Sequence, residues 1–161
     1  LMPTNLYGKG DNYHSSNSHV LPALINRFHS HKLEQKAQIE CWGSGNPRRE
    51  FMHVDDLASA CVFVMRIEEE KLLRRVSSMQ SHINVGTGID HSIRELSEMV
   101  SEIVGFSGEI VFDPTKPDGT PRKLLDVSLL ESLGWSHSIE LEQGLVSTYQ
   151  WFKENIGMLR G

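Results

Sequence analysis

Residues Trp42–Ala60, WGSGNPRREFMHVDDLASA, decide the fold of this chain. Gly43, Gly45 and Pro47 are turn formers set between two short extended runs. Phe51 to Val54 is apolar enough for a buried strand, and Asp55-Asp56 then supplies an N-cap for a helix over Leu57–Ile67. The stretch therefore predicts strand, tight turn, strand, helix. An exposed aromatic, Trp42, stands beside the glycine turn and the paired arginines Arg48 and Arg49 follow it. That pattern suits a flat base and a diphosphate, because a guanidinium meets phosphate oxygens with a planar fork of donors. A plainer reading stands beside it: a β-turn whose arginines are solvated or paired with Glu50.

Working outward, Ile39–Trp42 reads as the strand that enters this stretch. Before it, Val20, Leu21, Leu24, Ile25 and Phe28 form a helical stripe over about His19–His29, with Ser16, Asn17 or Ser18 as its cap. His19 then sits in the first turn, where the helix dipole favours a neutral imidazole suited to general-base work. Leu1–Tyr7 reads as a strand, Gly8–Ser18 as a polar loop and His31–Gln38 as a charged connector. After it, Glu68–Arg75 is charged and solvent-facing, Arg74–Gln80 a loop and His82–Val85 a strand. Ser92-Ile93-Arg94-Glu95 is a capping box for a helix that ends at Gly105. Glu109–Phe112 is a strand, Asp113–Thr120 a Pro/Gly loop, Arg122–Asp126 extended, Val127–Leu133 a short helix closed by Gly134, and Glu140–Asn155 the last helix. Strands alternating with helices make an α/β chain.

Composition narrows the function classes. The 161 residues suffice for one domain, and 39% hydrophobic with 23% charged content is ordinary for a globular protein. A net charge of −5 with mixed signs argues against general nucleic-acid binding. No apolar run reaches the ~20 residues of a membrane span, and the opening Leu1-Met2-Pro3 lacks the basic start of a signal peptide. Cys41 and Cys61 read as buried reduced thiols of a cytoplasmic protein, not as a metal site.

Several motifs compete for chemistry. Gly86-Thr87-Gly88 lies between a strand and a helix, as a dinucleotide fingerprint does, but His91 holds the third glycine position, so a strand–helix turn is the expectation. Tyr149 and Lys153 form Y-x-x-x-K on the terminal helix with no serine or glycine-rich loop beside them, and are expected to be a core tyrosine and a surface lysine. The eight histidines do not cluster at metal spacing, and His29 and His31 are expected to be solvated beside the connector. The loop Lys116–Lys123, KPDGTPRK, mixes Asp118 with Arg122 and Lys123 around a turn, the composition of a segment that closes on a nucleotide sugar or of an ordinary surface turn.

Pro3-Thr4-Asn5-Leu6-Tyr7-Gly8, Ser16-Asn17-Ser18-His19-Val20, Trp42-Gly43-Ser44-Gly45, Arg49-Glu50-Phe51 with His53-Val54-Asp55-Asp56, Ser81 to Gly88, and Lys116 to Lys123 together resemble the GDP-L-fucose synthase family of extended short-chain dehydrogenase/reductases. The resemblance runs the length of the chain, to Tyr149-Gln150-Trp151-Phe152, and SNSHV with KPDGTPRK is its most specific part. It implies 3,5-epimerisation of GDP-4-keto-6-deoxy-D-mannose followed by NADPH-dependent reduction at C4. His19 matches the family's proton-shuttling histidine, catalytic and close to the cofactor. Pro3, Thr4, Asn5 and Leu6 match NADP(H) contacts. Arg27, Trp42, Arg49, Asp118 and Lys123 match positions around the GDP-sugar: Arg27 and Arg49 for the diphosphate, Trp42 for the nucleotide, Asp118 for the sugar or ribose.

The family's glycine-rich cofactor loop, its Ser, Tyr and Lys, and its epimerase cysteine have no counterpart here. The resemblance therefore implies the C-terminal part of such an enzyme: residues 1–18 as the last edge of a Rossmann fold with the active-site loop, and residues 19–161 as the substrate-binding domain. The implied partners are a GDP-sugar, the missing N-terminal cofactor-binding half and, for the intact enzyme, a second copy; no nucleic acid, membrane or metal is implied. A related nucleotide-sugar epimerase or dehydratase, or a nucleotide-sugar-binding module without catalysis, are the alternatives.

Overall fold

The structure is a computed structural model that describes residues 1–14, 17–77, 79 and 82–158. Its strands are β1 (Met2–Pro3), β2 (Asn5–Tyr7), β3 (Gln38–Trp42), β4 (Arg48–His53), β5 (Asn84–Val85), β6 (Asp90–Ser92), β7 (Glu109–Asp113) and β8 (Arg122–Lys123). Its helices are α1 (Val20–Leu33), α2 (Val54–Met65), α3 (Glu69–Leu73), α4 (Ile93–Val104), α5 (Ser128–Leu133) and α6 (Leu141–Asn155). Strand β4 organises them: it pairs parallel with β2 and β8 and antiparallel with β6, while β1 pairs with β5 and β3 with β7, both parallel. The α/β class holds.

The β2–β4 ladder separates two apolar clusters, and the two-residue period of a strand explains the division. Tyr7 and Phe51 point to one side and join Phe28, Ile39, Leu96, Leu145 and Phe152 from α1, β3, α4 and α6. Leu6 and Met52 point to the other and join Ala60, Ile83, Val85, Leu130 and Trp135. Packing thus crosses residue 18, since Leu6 shares a cluster with side chains from β4, α2 and β5.

Several boundaries differ from expectation. Strand β4 starts at Arg48, because Arg48 to Glu50 find ladder partners on β6 and β8 that local composition does not announce. Asp55 and Asp56 do not cap α2. His53 does, its Nδ1 accepting from the Asp55 N–H at 3.2 Å, while Asp56 is buried and accepts from Ser138 N–H, Ser138 Oγ and Ile139 N–H. Helix α1 runs on to Leu33 and takes in His29 and His31. His29 packs on Tyr149, with Nδ1 and the phenol oxygen 3.0 Å apart, so it is not a solvated connector residue. His19 is the N-cap of α1 and its side chain makes no capping hydrogen bond; of the expected caps, Ser16 lies outside the described residues. Part of the charged segment after α2 coils into α3, with an Arg74–Glu70 pair at 2.5 Å.

Other expectations hold. The capping box is formed, with Glu95 N–H donating to Ser92 Oγ at 3.1 Å and Ser92 N–H to Glu95 Oε2 at 2.7 Å. Tyr149 is a buried core residue with the Lys153 ammonium 5.1 Å above its ring. Cys41 is buried and unpaired; Cys61 is unpaired but only half-buried, because it lies off the packed face of α2.

Candidate functional site

The turn between β3 and β4 and the loop before β8 both line a cleft of about 210 Å³. Asn5 from β2, Val20 from α1, Trp42 from β3, Arg49 from β4, and Pro117 and Asp118 from the loop line it. Trp42 ends its strand as a residue 69% exposed, an unusual place for an indole unless something flat covers it. The Lys116 ammonium stands 5.8 Å from that ring.

The loop is tied down by two side chains. Asp118 accepts from the Ser44 N–H at 2.8 Å and the Ser44 hydroxyl at 2.7 Å, which hold its carboxyl below the usual carboxylate range, the hydroxyl contact first. Arg49 donates through Nη1 to the Thr120 carbonyl at 2.6 Å and to its own neighbour's carbonyl, Arg48, at 2.7 Å. Its Nη2 lies against Gly119. Pairing of β8 with β4 sets Lys123 in register beside Arg49.

Beneath the cleft the network is acidic and fully partnered. Asp90 accepts from Arg122, and from Arg48 Nε at 2.8 Å; these two guanidinium groups hold its carboxyl below the ordinary range. Arg48 thus pairs with Asp90 and not with Glu50. Glu50 is fully buried, and its carboxylate accepts from the N–H groups of Thr87 at 2.7 Å, Gly88 at 2.8 Å and Leu125 at 3.0 Å. The amides of the Gly86-Thr87-Gly88 turn, which in a dinucleotide fingerprint cradle phosphate, are satisfied here by an internal anion. That turn does not fit a cofactor phosphate, and it leads from β5 into the short strand β6 ahead of α4, not directly into a helix as expected.

Of the residues singled out from sequence, Asn5, Trp42, Arg49 and Asp118 meet in the cleft. His19 is exposed at the start of α1, next to Val20 on the cleft wall. Pro3 and Asn5 are exposed along β1 and β2; Thr4 and Leu6 are half-buried, and Thr4 Oγ1 and Asn5 Nδ2 both donate to the Glu50 carbonyl, at 3.2 and 2.8 Å. Arg27 is not brought to the cleft: its guanidinium donates to the Glu40 carbonyl on β3. Lys123 is exposed and lies outside the lining. Among the described residues no group of three or more His, Cys, Asp or Glu side chains is placed to hold a metal ion. Ser44, Glu50 and Asp90 carry the architecture of the site; Ser44 lies inside the Trp42–Gly45 motif and Glu50 inside the Arg-Glu-Phe run, while Asp90 lies in no motif.

Residues 1–86 match the family model described as NAD dependent epimerase/dehydratase family. The chain belongs to that family. Over all 161 residues it is 56% identical to the GDP-L-fucose synthase of Escherichia coli strain K12, of which it spans 50%. Among solved structures, a GDP-6-OMe-4-keto-L-xylo-heptose reductase from C. jejuni superposes with a TM-score of 0.86 at 40% identity, over 95% of this chain and 53% of that one. A GDP-L-fucose synthetase from Naegleria fowleri bound to NADP gives a TM-score of 0.86 at 26% identity, over 100% of this chain and 48% of that one. The chain spans about half the length of the curated relatives it matches. The family's α/β fold and the mixed sheet described above agree, and among the described residues no helix is long and apolar enough to cross a membrane.

Proposed function

We propose that this chain forms the nucleotide-sugar side of a GDP-L-fucose synthase, which epimerises GDP-4-keto-6-deoxy-D-mannose at C3 and C5 and reduces it at C4. The observation that carries the reading is the convergence of Trp42, Arg49, Asp118 and Asn5 in one cleft from four separate segments. An exposed indole offers a face for the guanine, and Arg49 offers the fork for the diphosphate, reinforced by Lys123 beside it. Arg27 joins them only after leaving the Glu40 carbonyl. Asp118 keeps the loop shut through Ser44, and a ribose or sugar hydroxyl competes with Ser44 for one of its oxygens.

Epimerisation needs a group that moves protons α to the ketone, and we assign that role to His19, a reading supported by its exposure at the start of α1 next to Val20 of the cleft. Residues 3–6 contribute contacts to the nicotinamide side of NADP(H), which when bound supplies the hydride for C4. Residues 1–18 serve the cofactor side and residues 19–161 the substrate side, although the cluster joining Leu6 to Met52 and Val85 binds the two firmly. Tyr149 and Lys153 take no part: Tyr149 packs against His29 of α1, and Lys153 is exposed with its ammonium over the Tyr149 ring. Reduction therefore requires the cofactor loop and the Ser, Tyr and Lys of a cofactor-binding half, and the assembled enzyme works as a cytoplasmic homodimer.

The test is calorimetric titration of GDP-L-fucose into this chain, with Arg49→Ala alongside. Saturable binding, lost in the variant, is the expected result. A folded parent chain that takes up no ligand, or an Arg49→Ala chain that binds as the parent does, overturns the reading.

A further inference from the structure

Glu50 gathers more partners than any role in substrate contact requires. Its side chain is fully buried, and a buried carboxylate persists only where its lone pairs are met. Here Oε1 takes two N–H groups from the 86–88 turn and Oε2 takes the Leu125 N–H. Gly86 is packed so closely against the carboxylate that any side chain there would collide with it. The Glu50 carbonyl takes the side chains of Thr4 and Asn5 as well. One residue thus receives five donors from three segments far apart in sequence.

Two of those segments build the cleft. Asn5 lines it directly. Leu125 follows β8, in which Lys123 pairs with Arg49, and Arg49 in turn holds the Thr120 carbonyl of the loop that carries Asp118. Along β4 the side chains of Arg49 and Glu50 point to opposite faces, so Glu50 cannot touch a ligand held by Arg49. We propose that Glu50 is the positioning residue of the site: it sets the Asn5 wall and the Arg49–loop wall in register while remaining outside the cleft. The proposal rests on the reading of the cleft as a nucleotide-sugar site and adds the residue that determines its geometry.

Glu50→Gln tests it selectively. The amide oxygen keeps the Thr87 and Gly88 donors, and its NH2 then faces the Leu125 N–H, donor to donor, so the anchor of the 122–125 segment is lost while the 86–88 turn stays. Val100→Ala, in the core of α4, is the control for simple loss of stability. Two measurements are made on each chain: amide hydrogen exchange by NMR and calorimetric titration with GDP. In Glu50→Gln, exchange rises at Leu125 and at the amides of Gly119, Thr120, Arg122 and Lys123, and the GDP Kd rises roughly tenfold, the worth of one lost hydrogen bond to a charged group. Val100→Ala moves neither. Exchange at 119–123 equal to the parent's, a Kd within about twofold of the parent's, or the same loss in Val100→Ala overturns the proposal. A parent chain that binds no GDP while Glu50→Gln still loosens 119–123 supports the positioning role and overturns only the nucleotide-sugar reading.

Discussion

The carboxylate of Asp118 accepts both the backbone N–H and the hydroxyl of Ser44, at 2.8 and 2.7 Å. The two residues are 74 positions apart, yet this contact joins the turn after Trp42 to the loop before β8 and so makes the cleft a cleft. Asp118→Ala removes both acceptors and frees the loop. Trypsin then cuts after Arg122 and Lys123 several-fold faster than in the parent, as followed by mass spectrometry. Ser44→Ala, which keeps the backbone donor, gives an intermediate rate. Equal rates in all three chains would show that the Asp118–Ser44 contact does not hold the loop.

A second prediction concerns acid. Arg122 and Arg48 hold the Asp90 carboxyl below the ordinary aspartate value of 3.8. A group whose pKa is lower folded than unfolded contributes stability above the unfolded value and loses it as pH falls through the folded one. At pH 7 Asp90→Asn is therefore less stable, by about 1–2 kcal/mol for hydrogen-bonded pairs whose arginine ends are partly solvated. Below the ordinary aspartate range the gap between parent and variant closes. Melting temperatures measured from pH 7 down to acid check this, and a gap that stays constant contradicts it.

Gly45 supplies a third. Its φ of +79° lies in the left-handed region, and a Cβ there would stand 2.7 Å from a carbon of the Phe112 ring. That ring in turn carries the Arg94 guanidinium 4.0 Å above its centre, and the Arg94 N–H donates to the Gly45 carbonyl at 2.9 Å. Gly45→Ala meets backbone strain and a clash that the ring has little room to relieve, at a cost of about 1–3 kcal/mol. Urea unfolding measures it directly. A variant as stable as the parent would mean the turn has another conformation.

The thiols give a fourth. Cys41 is buried and burial pushes its thiol pKa up, whereas Cys61 is half-buried on α2. Ellman's reagent at neutral pH modifies Cys61 in the native chain and reaches Cys41 only on unfolding, since the reactive species is an accessible thiolate. Mass mapping of the labelled residue decides the outcome.

The elements legible from sequence are those whose signal is local. Helix α4 shows its apolar spacing, its Ser92–Glu95 box and its terminal Gly105, and all three recur in the structure. Trp42 beside its glycine turn was likewise readable as an exposed ring, because an aromatic next to turn residues has little chain around it to bury it. The β6 strand was not legible: Asp90–Ser92 is polar and three residues long, and it exists only because β4 offers a ladder. His53 displaced Asp55 and Asp56 as the cap of α2 for the same kind of reason, since Asp56 was drawn inward by Ser138 and Ile139 from beyond α5.

The sequence by itself determined the alternation of strands and helices, the caps and turns that punctuate it, and the residue types needed to meet a flat base and a diphosphate. Tertiary structure alone decided which of those residues meet. It brought Asn5, Trp42, Arg49 and Asp118 together, left Arg27 on the Glu40 carbonyl, and assigned the amides of the Gly86-Thr87-Gly88 turn to Glu50. Turns and caps depend on neighbours a few residues away, so composition encodes them. The partner of a buried carboxylate comes from wherever the chain folds back, and short-range pattern carries no record of it.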